Sequence, residues 1–216
     1  RVALLDYGAG NVRSLRNALR KLGFEVDDVT TPEHIAAAGV LLFPGVGSFG
    51  NCMAVLEAKG LIEPLRAYVR ADRPFLGICL GMQTLFESSE ESPGVRGLGL
   101  IPGAVGRFDV AGALSVPQIG WNGVCARKHS PMLDGLKGGD AVYFVHSYRV
   151  PITEAVSPWS LCHTTYGETY VSAVGLGRVC AVQFHPEKSG RVGLNMLRGF
   201  LEASLAVDPP TAPSAP

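Results

Sequence analysis

The feature that most constrains this chain is an alternation. Short apolar runs at 2–7 (VALLDY), 24–29 (FEVDDV), 40–44 (VLLFP) and 74–79 (PFLGIC) are separated by stretches with helical spacing. Val12, Leu15, Leu19 and Leu22 recur at intervals of three and four before Gly23, which places one apolar stripe along a helix that ends at the glycine. Residues 61–71 carry a further helical pattern, and MQTLF does so after the fourth run. Strands joined by crossover helices pair in parallel, so the first half predicts a doubly wound α/β fold, a mainly parallel sheet flanked by helices.

From about Leu98 the pattern changes. The closely spaced runs VGRFDV, VPQIGW, AVYFVHSYRV, YVSAVGLG and VCAVQFHP, with glycine and proline turns between them, predict antiparallel strands appended to the parallel core. Leu194, Leu197, Leu201 and Leu205 then mark an amphipathic helix over 192–205. We expect one domain, 1–206, followed by a proline-rich tail or linker, 207–216, because the prolines of DPPTAPSAP cannot continue a helix.

Composition removes several function classes. Nineteen basic residues balance nineteen acidic ones with no basic run, so no footprint for nucleic acid or an anionic membrane is expected. The apolar runs are too short to span a bilayer, and the amino terminus lacks the charged-then-apolar order of a signal peptide. A soluble, cytoplasmic protein is expected. The five cysteines, at 52, 79, 125, 162 and 180, are odd in number and form no CxxC, which argues against a disulfide framework and a zinc knuckle. No metal and no cofactor are expected.

Two motifs compete for the chemistry. DYGAGN after the first strand falls short of a dinucleotide fingerprint, because Arg13 stands where the third glycine is needed. Gly8 and Gly10 there more simply turn the chain tightly and expose helix-start amides, with Asn11 as a cap or a partner contact. GICLG (77–81) fits another template, Gly-x-nucleophile-x-Gly on a sharp strand-to-helix turn. Its nucleophile is Cys79, and a free thiol with a pKa of roughly 8.5 needs activation. The amino end of the following helix and a nearby base would supply it.

Of five histidines, only His185, in QFHPE, has a carboxylate two residues on, Glu187. In extended chain those positions face the same side, so a Cys79, His185, Glu187 triad is expected although 185 − 79 = 106 residues separate nucleophile and base. His146 is the alternative base, but it lacks an acidic neighbour. Oxyanion donors are expected from the amide of Leu80 and from the loop PGVGSFG around Val46 and Gly47.

GICLGMQ, PGVG and HPE, in this order and spacing, resemble the class I or triad-type glutamine amidotransferases, of flavodoxin-like fold. DYGAGN, PGVGSFG, PQIGWN, YFVHSY and HPEKSG, spanning 6–190, are more narrowly similar to glutaminase subunits of imidazole glycerol phosphate synthase in histidine biosynthesis. That resemblance implies hydrolysis of L-glutamine to glutamate and ammonia through a γ-glutamyl thioester on Cys79. It implies glutamine-binding roles for Gly47, Gln83, Tyr143 and Ser147. It also implies a (β/α)8 cyclase partner, as a subunit or a fused domain, with Asn11, Trp121 and Lys188 at or near the interface, and a glutaminase nearly silent until the synthase binds its nucleotide ligand. The proline-rich tail is read as a link to such a fused barrel. The rival readings are a glutaminase serving another acceptor, a partner-free γ-glutamyl hydrolase, and a catalytically dead binding module.

Overall fold

The computed structural model describes residues 1–8, 12–109, 112 and 114–206. The expectations for Gly10, for Asn11, for the end of VGRFDV and for the tail 207–216 lie outside the described residues.

The parallel core begins with β1 (Val2–Leu5), α1 (Val12–Lys21), β2 (Val26–Val29), α2 (Pro32–Ala37), β3 (Leu41–Gly45), α3 (Phe49–Ala58), α4 (Ile62–Arg70) and β4 (Phe75–Cys79). Helix α1 buries Leu15 and Leu19 of the stripe read from the sequence, together with Ala18, while Val12 and Leu22, the latter just past the helix, are partly buried. Helices α2 and α3 are too short or too weakly periodic to stand out in the sequence, and local capping starts both. Thr31 accepts from the His34 amide ahead of Pro32, and Ser48 from the Asn51 amide.

After β4 come α5 (Leu80–Gln83), β5 (Phe86–Ser89), β6 (Ile101–Arg107), β7 (Gln118–Gly123), β8 (Cys125–Ala126), β9 (Ala141–His146), β10 (Tyr148–Pro151), β11 (Ser160–Tyr166), β12 (Glu168–Leu176), β13 (Val179–Val182) and α6 (Gly190–Leu205). The expected helix over MQTLF is a single turn. Phe86 leaves it to pair with Ile101, and the Leu85 carbonyl accepts the amides of Leu100 and Ile101. AVYFVHSYRV is two strands instead of one. They break at Ser147, whose carbonyl takes the Phe108 amide, and they join different sheets.

The large sheet runs β2-β1-β3-β4-β13-β12-β10-β6-β5. Its first five strands are mutually parallel, in the doubly wound flavodoxin-like order, except that the fifth arrives after a long insertion of antiparallel strands. VCAVQFHP, expected among the appended antiparallel strands, is instead this fifth parallel strand, because Val179–Val182 pairs along β4. That insertion includes β12 and β10, each antiparallel to its neighbours in the sheet. Strand β13 enters beside β4 in the register Val179↔Phe75 through Val182↔Ile78. The two faces are covered by separate apolar clusters, one including Phe43, Phe49, Phe75 and Phe86, the other Leu4, Leu19, Phe144 and Phe184. Strands β7 and β9 form their own two-stranded ribbon at the side.

Candidate active site

In open parallel sheets, ligands bind beyond the carboxyl ends of the strands. Here β3, β4 and β13 are neighbours, and their carboxyl ends deliver PGVG, Cys79 and QFHPE to one place. The sequence gap of 106 residues closes because the last parallel strand slots in against β4. The resulting cavity, about 350 Å³, is lined by Val46, Gly47, Cys79, Leu80, Gln83, Glu91, Pro117, Val145, His146, Ser147, Tyr148, His185 and Lys188.

Cys79 sits at φ 55°, ψ −109°. A non-glycine residue held in such a region stores strain of order 1–3 kcal/mol, and the surroundings must enforce it. They do so by close approach. A Cβ on Gly81 would lie 1.9 Å from the Phe43 carbonyl oxygen, and one on Gly77 2.8 Å from that of Gly81. The flanking glycines thus let the elbow press against β3.

Around the imidazole of His185 the partners are ordered. Nδ1 lies 2.8 Å from Glu187 Oε1, and both side chains are almost fully buried. Burial alone would push the imidazole down, but the Cys79 sulfur and the Glu187 carboxylate together outweigh it and lift it to about 9. Gln183 also donates to the sulfur, its Nε2 lying 3.6 Å from Cys79 Sγ.

The alternative base is ruled out by its setting. His146 is buried beside Phe108, Phe144 and Tyr170, with Nδ1 2.8 Å from the Tyr148 carbonyl and Nε2 3.2 Å from the Tyr170 hydroxyl. Burial drives its pKa down to about 4, so it is a neutral structural hydrogen-bonder.

The remaining candidates divide. Val46, Gly47, Leu80, Gln83 and Ser147 line the cavity, and Gly47 takes φ +95°, where a side chain would be strained. Both outlets of the Gln83 amide nitrogen are committed within the protein, to the Tyr148 carbonyl (3.1 Å) and to Gln183 Oε1 (2.9 Å). Only its carbonyl oxygen remains for a substrate. Tyr143 lies outside the cavity lining. Two residues along the ribbon from Val145, its ring meets Trp121 edge-on (centroids 6.2 Å apart), with Lys188 Nζ 6.0 Å from its centroid. Trp121 is 58% exposed, so it is not a core aromatic. The one-turn α5 also corrects the expected source of activation, since so short a helix carries little macrodipole.

Sequence reasoning missed two residues. Glu91 lines the cavity and accepts the Phe49 amide at 2.7 Å, while Ser92 takes that of Gly50 at 2.9 Å, so this loop fixes the start of α3 just after PGVG. Gln183 carries no signal of its own within QFHPE, and the β4–β13 register sets it beside Cys79.

Comparison with known proteins agrees with this geometry. The model of the family "Glutamine amidotransferase class-I" matches residues 3–203. The chain belongs to that family. Within it, the chain is similar to imidazole glycerol phosphate synthase subunits HisH, 46% identical in Aquifex aeolicus (93% of this chain, 95% of the relative) and 48% in Deinococcus radiodurans (92% of each). It is also 55% identical to the chloroplastic imidazole glycerol phosphate synthase hisHF of Arabidopsis thaliana, over 94% of this chain. The chain spans only about a third of that relative, 34%. A crystal structure of a glutamine amidotransferase shares the fold with a TM-score of 0.70 at 22% identity, covering 94% of this chain and 99% of the other. Among the described residues no helix is long and apolar enough to cross a membrane.

Proposed function

We propose that the chain is the glutaminase of imidazole glycerol phosphate synthase, hydrolysing L-glutamine and passing the ammonia to a (β/α)8 cyclase. The observation that carries this reading is the parallel pairing of β4 with β13, which sets Cys79 and His185 at one cavity, with Glu187 bonded behind the ring. In the first step the Cys79 sulfur, its proton held on the imidazolium of His185, attacks the side-chain amide carbon of glutamine. The oxyanion that forms is met by amides of Leu80 and of the loop at Val46 and Gly47. His185 then gives its proton to the departing nitrogen, ammonia leaves, and a γ-glutamyl thioester remains. Water, deprotonated by His185, adds to the thioester carbon. Expulsion of the sulfur yields glutamate and restores the thiol. Glu187 holds the ring through Nδ1 and stabilises the imidazolium.

Ammonia released to bulk water would be protonated and lost as a nucleophile, so the site needs a docked acceptor. The ribbon offers a surface continuous with the cavity mouth: Ile119 (63% exposed) and Trp121 lie on one side of β7, paired with Val145 and Tyr143, and Lys188 borders both. Exposed aromatic anchors of this kind are typical of interfaces. Cyclase docking over Trp121 and Lys188 is therefore part of the proposal.

The test uses the chain together with its cyclase. Cys79→Ala should abolish synthesis driven by glutamine and leave synthesis driven by ammonium salts intact. Loss of both, or survival of the glutamine-driven reaction, would overturn the reading.

A further inference from the structure

The register that closes the site brings in a residue no motif singles out. Val182 pairs with Ile78, so one step further along both strands Gln183 stands beside Cys79. Gln183 is fully buried, and its Nε2 lies 3.6 Å from Cys79 Sγ.

Which end of this amide faces the sulfur follows from a series of partners that ends on an obligate acceptor. The Tyr148 carbonyl can only accept, so the Gln83 atom 3.1 Å from it is the amide nitrogen. That same nitrogen lies 2.9 Å from Gln183 and must face its oxygen. The N–H of Gln183 is thereby turned toward the sulfur. A second donor, Nδ1 of the neutral His146, holds the Tyr148 carbonyl in place at 2.8 Å.

We infer that Gln183 is a positioning residue for the reaction at Cys79: its amide donates to the sulfur, aims it into the cavity and favours the thiolate, with Gln83 orienting that amide. The inference rests on the reading of Cys79 as nucleophile. A buried amide with no such task would cost more than an apolar side chain of its size, and the single-turn α5 leaves the sulfur without a substantial helix dipole. A hydrogen bond donated to an ionisable group favours its charged form, and the thiolate is the attacking species. Gln183 exchanges no proton, since the thiol proton goes to His185.

The readout is the pH dependence of Cys79 alkylation by iodoacetamide in the full chain bound to its cyclase. Background from the exposed Cys125 is subtracted with a Cys79→Ala control. Glu91, His146, His185 and Lys188 face the cavity, and Tyr7, itself beside Cys52, lies near the sulfur and the Val46 backbone. All stay in place in the variants, so a displaced profile belongs to the lost N–H. Gln183→Met keeps the volume and removes the donor. It should raise the alkylation midpoint by about one unit and lower glutaminase kcat about tenfold, with KM within about threefold. Gln183→Glu should raise the midpoint further, because a carboxylate cannot donate and adds like charge. Gln83→Leu, which frees the Gln183 amide, should shift it in the same direction by less.

A folded Gln183→Met with an unmoved midpoint, or with a loss confined to KM, overturns the inference. If that variant does not fold, Gln83→Leu decides by the alkylation midpoint alone, since the Gln83 carbonyl oxygen also faces the substrate cavity. Failure of the underlying reading looks different: Cys79→Ala would then keep its glutaminase activity.

Discussion

The carboxyl edge of β3, β4 and β13 and the β7–β9 ribbon border the same cavity, yet they are built to opposite rules. The edge is buried, and it packs so closely that a methyl group on Gly81 has no room. It holds Cys79 in a strained backbone conformation near His185, whose pKa the sulfur and Glu187 raise. The ribbon belongs to neither the parallel sheet nor its antiparallel extension, and it turns Ile119 and Trp121 outward. Chemistry that needs fixed distances is placed where neighbouring strands determine every register. On the proposed reading, recognition falls where a side chain can be changed without disturbing that register.

This contrast can be broken most forcefully at Gly81. Gly81→Ala forces either β3 or the elbow to move, and we expect a loss of about 3 kcal/mol or more of stability together with loss of glutaminase activity. Denaturant unfolding and glutamine turnover check both, and a stable, active variant would show that the edge is not rigid.

Glu187→Gln tests the edge through charge instead of volume. Removing the carboxylate should lower the His185 pKa from about 9 and reduce kcat by about 10²- to 10⁴-fold. The sign for stability follows. A histidine raised above its unfolded value of roughly 6.5 contributes fully below that pH and loses the contribution as pH rises through about 9. The variant's stability should therefore fall less than the parent's between about pH 7 and pH 9.

His146 provides the opposite case. Its pKa of about 4 is depressed, so its contribution is present above roughly pH 6.5 and is lost as pH falls toward 4, by up to about 3 kcal/mol. Chemical denaturation at pH steps over that window should show the decline in the parent and a shallower one in His146→Gln.

On the ribbon the effect on the fold should be smallest. Trp121→Ala is expected to change the stability of the isolated chain by no more than about 0.5 kcal/mol, as at other exposed positions. Its cost should appear in cyclase binding, by about 2 kcal/mol or more if it is an anchor. Thermal melts and titration calorimetry separate the two.

The sequence showed the parallel half of the fold clearly, because Leu15, Leu19 and the apolar runs at 2–7, 40–44 and 74–79 each repeat with a period that one element satisfies. It also showed GICLG and HPE, where local chemistry demands unusual residues. It did not show that the elbow helix stops after Gln83, since the pairing of Phe86 with Ile101 that ends it is a long-range contact. Glu91 and Gln183 were invisible for the same reason. A buried glutamine or a capping glutamate acquires its role from partners that only the sheet brings near. Tyr143 was misplaced because position in a motif does not say which residues of a ribbon reach the cavity.

The late arrival of β13 carries a consequence for how this enzyme comes into being. Until residues beyond 178 have been made and threaded between β4 and β12, the thiol has no base and β4 has an open flank. On the proposed reading, completion of the sheet and the onset of reactivity toward glutamine are a single event.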